Sequence, residues 1–150
     1  MSIINAGGED VKLEDIDKFA RVQSQLEQLH KEMSVLAKSK QDNPINRFKL
    51  NVINEKLGEA NSILIGTFKP LADFDTFGDD DLPTNSDVVM VLSQYLDSLE
   101  AWRSANVLYS PSDYEWYWNT GGKLQVKSTK PTRFRQIPSG DINTSRGQTE

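Results

Sequence analysis

Cysteine is absent from the 150-residue chain, and histidine occurs once, at His30. The first absence excludes disulfides, thiol nucleophiles and thiolate metal ligands, and fits a reducing compartment. The second excludes a zinc site built on several imidazoles and leaves any histidine-based triad hanging on one side chain. No stretch approaches the roughly 18–20 apolar residues that span a bilayer. Met1 to Asp10 lack the basic start and apolar run of a secretory signal. A cytoplasmic protein, or a virion or other assembly component made in the cytoplasm, is expected. Gly7-Gly8 and Gly121-Gly122 match no phosphate-binding fingerprint, because neither a Lys-Ser/Thr pair nor a third glycine follows in place.

What is present is a divided charge. Up to Gly122 the chain carries 11 basic and 20 acidic side chains; from Lys123 onward it carries 6 basic and 2 acidic ones. The overall net charge of −5 therefore hides an acidic body joined to a basic tail. Such asymmetry speaks about partners and association rather than about fold.

The periodicity predicts a mainly α, three-helix antiparallel bundle with helices at about 12–39, 44–65 and 86–106. From Lys12 to Ser39 there is neither Gly nor Pro, and Phe19, Val22, Leu26, Leu29, Met33 and Leu36 recur at alternating spacings of three and four. That is the seam of helices packed at a shallow angle, as in a coiled coil, and it requires a partner from this chain or another. Asp42 or Asn43 with Pro44 opens the second helix, whose stripe runs Ile45, Phe48 and Val52, then Ile53, Leu57, Ala60 and Leu64. Asn85 or Ser86 caps the third, striped by Val88, Val91, Leu92, Tyr95, Leu99 and Trp102. A small C-terminal hairpin is expected from Tyr114–Asn119 and Lys123–Val126–Lys127 around Thr120-Gly121-Gly122. The organisation is thus an N-terminal arm (1–11), a helical domain closed by the hairpin (12–127) and an extended basic tail (128–150). The tail has only Phe134, Ile137 and Ile142 as apolar anchors and cannot form a core of its own, so any order in it is expected to come from a neighbouring surface.

Candidate chemistry is sparse. Asp73, Asp75 and Gly78 match positions 1, 3 and 6 of an EF-hand loop, but Phe77, Asp80 and Thr84 occupy positions 5, 8 and 12, where the loop needs other residues. A solvated acidic turn from Asp73 to Asp81 is the expectation, with no metal and no cofactor. His30 sits beside a seam residue on a regular helix, a setting for a helix-flank histidine. No enzyme activity and no small-molecule substrate are expected.

The densest feature is aromatic. Trp116 and Trp118 share one face of the expected strand, with Glu115 and Tyr117 on the other. Tyr and Trp are over-represented at binding hot spots, and Lys127, Lys130, Arg133 and Arg135 flank Phe134 close by. The expected function is a non-enzymatic assembly subunit that docks on a protein partner, or on further copies of itself. Trp116, Tyr117 and Trp118 would be its anchors, and Lys127, Lys130, Arg133, Phe134 and Arg135 its basic arm. Two alternatives stand beside it. One is a nucleic-acid-binding accessory protein using the same arm. The other is a small acidic inhibitor or immunity-type protein using the aspartate-rich loop.

Overall fold

The absence of helix breakers after Lys12 has its direct consequence in α1, Leu13–Lys40, a helix of 28 residues. The computed structural model describes residues 10–121 and 126–133. Glu14 and Asp15 lie in the first turn of α1 and Lys38 and Lys40 in the last, each complementing the helix dipole. Ile16, Phe19, Val22, Leu26 and Met33 are buried, so the seam is occupied along most of its length. Its principal partner is α3 (Asn85–Ser104) of the same chain, with α2 (Arg47–Asn61) covering the adjoining flank. The helices are antiparallel to α1. Phe19 meets Trp102 near the start of α1, and Asn85 Nδ2 donates to the Lys40 carbonyl at its end, 2.8 Å away. Arg21 pairs with Glu59 at 3.2 Å on the α2 side.

Helix boundaries follow capping chemistry. α2 begins three residues later than the expected Pro44, because the Asn46 side chain accepts the Lys49 N–H. Pro44 instead lies opposite Thr84 in an isolated bridge, flanked by Ile45 N–H to the Pro83 carbonyl and Asn85 N–H to the Asn43 carbonyl. This ties the α1–α2 connection to the entrance of α3. α2 ends at Asn61 rather than near Ile65, and Gly66 then takes a left-handed φ of 61° where the chain turns away. Thr84 and Asp87 form a reciprocal capping box at the start of α3, one residue ahead of the expected caps.

The long connection between α2 and α3 lies against the bundle through Phe68, Leu71, Phe74 and Phe77. Its backbone is read by α2: Asn54 both donates to the Phe77 carbonyl and accepts the Phe77 N–H, and Asn61 Nδ2 donates to the Asp75 carbonyl. Lys69 Nζ pairs with Asp75 at 2.7 Å. Among the described residues no group of three or more His, Cys, Asp or Glu side chains is placed to hold a metal ion.

The hairpin differs from expectation in its partner. α3 stops at Ser104, and Val107–Ser110 forms β1 rather than a fraying helical end. β1 pairs antiparallel with β2 (Glu115–Trp118), Val107 opposite Trp118 and Tyr109 opposite Trp116, across a turn at 111–114. Val107, Leu108 and Tyr109 are strand formers, and Pro111 supplies the turn. Part of the expected pairing survives on the other edge of β2. Trp118 N–H donates to the Val126 carbonyl and Ser128 N–H to the Trp116 carbonyl, with Tyr117 opposite Lys127. Gly122 of the expected turn, residues 123–125 of the expected second strand, most of the N-terminal arm and the tail beyond Arg133 lie outside the described residues.

Leu26 is fully enclosed, whereas Phe48 is 75% exposed although it falls on the α2 stripe. Leu26→Ala should therefore cost about 2–5 kcal/mol, and Phe48→Ala should stay within about 0.5 kcal/mol of the parent, as measured by urea unfolding.

Candidate interaction surface

Three aromatic residues bring the hairpin onto the helices. Trp118 is buried with its ring 5.3 Å from Phe19 and 5.7 Å from Trp102. Tyr117, expected as a partner anchor, is buried as well, and its hydroxyl donates to Asp113 in the turn. That bond, together with burial, raises the Tyr117 phenol above its ordinary value, and it holds the Asp113 carboxyl below its own. Two of the three expected anchors thus serve the protein's own interior. The reason is positional: β2 lies between β1 and residues 126–128, so both of its edges are paired, and Phe19 and Trp102 cover Trp118 on one face.

The aromatic surface that remains outside is shifted along the hairpin. Tyr109 is 46% exposed and its ring packs 5.3 Å from the half-buried Trp116. Tyr114 is 79% exposed and adopts a left-handed φ of 60° in the turn, a strained position for a bulky side chain. Lys127 and Lys130 are exposed nearby in the chain, on the segment that borders β2. Tyr109 and Tyr114 belong to the same aromatic cluster in the sequence. Only the β1–β2 register, which no local pattern specifies, separates them from Tyr117 and Trp118.

The basic arm is anchored to the protein itself. Arg103, on the last turn of α3, is buried and pairs bidentately with Glu100: Nε to Oε1 at 2.9 Å and Nη2 to Oε2 at 2.6 Å. The same guanidinium donates to the Ser128 hydroxyl and to the carbonyls of Thr129 and Lys130. Ser104 Oγ donates to Glu100 and accepts the N–H groups of Thr132 and Arg133 at 3.2 and 3.1 Å, while the Thr132 hydroxyl donates to Glu100. Arg133 then pairs with Asp97 at 2.7 Å. The neighbouring surface expected to order the tail is, for residues 128–133, α3 of the same chain, while β2 holds residues 126–128. Phe134 and Arg135 lie outside the described residues. Glu100 and Arg103 carry a sequence signal, an i,i+3 acid–base pair at a helix end, but nothing local names what they grip.

Elsewhere, a groove of about 210 Å³ opens between α1 and α2, lined by Leu29, Met33, Phe48, Val52 and Ile53 with Glu32 and Lys49 beside them. His30 Nε2 lies 3.2 Å from Ser93 Oγ across the α1–α3 contact. Among the described residues no third group is hydrogen-bonded to that imidazole to orient it. Ser93 also sits mid-helix, where backbone N–H groups are committed to the helical ladder and cannot form an oxyanion hole. Among the described residues no helix is long and apolar enough to cross a membrane. No protein-family model matches the chain, and neither a curated protein nor a solved structure matches it.

Burial pushes the Glu100 carboxyl upward, but hydrogen bonds from Arg103, Thr132 and Ser104 and the charge of Arg103 outweigh it, leaving Glu100 below its ordinary 4.5. A depressed carboxyl contributes stability that is complete above its ordinary pKa and is lost as pH falls through the lower, folded value. Protection of the 128–133 amides against hydrogen exchange should accordingly drop on acidification below the ordinary carboxylate range. Glu100→Gln should show reduced protection at neutral pH and a flattened acid dependence.

Proposed function

We propose that this protein is a non-enzymatic interaction subunit, working in the cytoplasm, that docks on a protein partner through the outer aromatic face of its hairpin. The observation that carries this reading is the Tyr109–Trp116 pair, one ring exposed and the other half-buried on the hairpin, with the exposed Tyr114 in the adjoining turn. Such rings offer much contact area at little cost in side-chain entropy, which is why they recur at the centres of interfaces. Lys127 and Lys130 add positive charge on the neighbouring segment, which suits a partner surface carrying carboxylates. Tyr117 and Trp118 take the role of internal supports, fixing the hairpin so that the outer rings are presented in one orientation.

Affinity purification with the intact chain, with nuclease treatment, should retain a protein partner. The Tyr109→Ser/Trp116→Ser double variant should lose it by roughly 30-fold or more, the loss of about 2 kcal/mol that marks a hot spot. Helical circular dichroism should be preserved. Retention of the partner by the double variant would sink the reading. Material lost on nuclease treatment would favour nucleic acid instead.

A further inference from the structure

We propose that the end of α3 formed by Glu100, Arg103 and Ser104 is a recognition site for an extended peptide, and that in an assembly its occupant is the 126–133 segment of a second copy of this chain. The proposal rests on reading the protein as an interaction subunit, and it names a partner and a site for that role.

The chemistry of the site is that of a peptide receptor rather than of a core. Its groups read main chain: the Arg103 guanidinium takes the carbonyls of Thr129 and Lys130, and Ser104 Oγ takes the N–H groups of Thr132 and Arg133. Side-chain contacts add selectivity for hydroxyl and cation at fixed positions, through Ser128 on Arg103, Thr132 on Glu100 and Arg133 on Asp97. The same segment adds its backbone to the edge of β2 that β1 leaves unpaired, through Val126 and Ser128, the mode by which a peptide extends a sheet. None of these bonds depends on the segment belonging to the molecule it contacts. An element that leaves its own body and binds the same site in a copy reproduces every contact without new chemistry.

Three observations favour exchange over a permanently fixed strap. The segment supplies one partly buried apolar side chain to the core, Val126, so little oily surface holds it down. Glu100 and Arg103 remain paired with each other when the segment leaves, so the empty site does not strand a buried charge. The residues up to Gly122 are acidic in excess and those after it are basic, so the arm of one copy is complementary in sign to the body of another.

The test uses two full-length variants. One, Ser104→Ala/Glu100→Gln, has a damaged site and an intact arm; the other, Thr132→Pro/Arg133→Glu, has an intact site and a damaged arm. Sedimentation should show each alone at the mass of one chain and the equimolar mixture moving toward the mass of two as concentration rises. A mixture that stays at one-chain mass throughout, or a damaged-arm variant that associates by itself, overturns the proposal. Circular dichroism checks that both variants keep their helices. As a second measurement, a fluorescent peptide of residues 126–133 should bind the damaged-arm chain and bind at least tenfold more weakly when Ser104→Ala is added. Absence of binding, or equal binding, also overturns it. A chain carrying Tyr109→Ser/Trp116→Ser should still exchange arms, so failure of the hairpin docking face and failure of arm exchange are read separately.

Discussion

The structure depends on one meeting of three rings. Phe19 from α1, Trp102 from α3 and Trp118 from β2 lie with centroids 5.3–5.7 Å apart. An isolated two-stranded hairpin is marginal in water, so β1 and β2 persist because Trp118 is driven into this cluster. Each tilted or edge contact adds about 0.5–1.5 kcal/mol beyond the area it buries. The cluster also fixes direction. With Trp118 inside, strand alternation puts Tyr117 on the opposite face, toward the Asp113 turn, while Trp116 shares the face of Trp118 one pair nearer the hairpin tip, where it packs against Tyr109. The exposed aromatic surface thus continues the inner one toward the hairpin tip, where the helices no longer cover it.

At the other end of the hydrophobic interior, polar groups do the positioning. The Tyr95 hydroxyl donates to Asn61 at 2.7 Å, and Asn61 in turn donates to the Asp75 carbonyl. Burial raises the Tyr95 phenol, and the nearby Asp75 charge reinforces the rise against the lowering influence of Asn61. Together with the two bonds from Asn54 to Phe77, this chain of amides holds a long acidic connection that contains little regular structure of its own. Phe74 stands edge-on to both Phe77 and Tyr95, so the aspartates face water because the phenylalanines between them cannot.

The helices were legible because their signals are local. Phe19 to Leu36 repeat at helical spacing, and capping chemistry places the start of α3 to within a residue or two, although the cap is Thr84 rather than Asn85 or Ser86. What was not legible depends on contacts between distant residues. Val107 to Tyr109 continue the apolar character of α3 and look like its fraying end until Trp118 claims Val107 as its cross-strand neighbour. Tyr117 and Tyr109 are both tyrosines in the same cluster, yet pairing makes one internal and the other external. The arm composition points to a surface outside the arm as the source of its order. The sequence could not indicate that the borrowed surface was α3, because Arg103 and Lys130 are far apart along the chain and their bond runs to a carbonyl, which every residue carries.

The choice of α3 as principal partner for the α1 seam carries a consequence for synthesis. Phe19, Val22, Leu26 and Met33 emerge from the ribosome long before Val88 to Leu99 exist to cover them. At roughly 5–20 residues per second the interval is several seconds. Throughout it the nascent helix presents an oily stripe that only α2 can partly shield. The apolar seam of α1 is thus exposed to the surroundings of the nascent chain for a period set by the distance between α1 and α3 along the sequence.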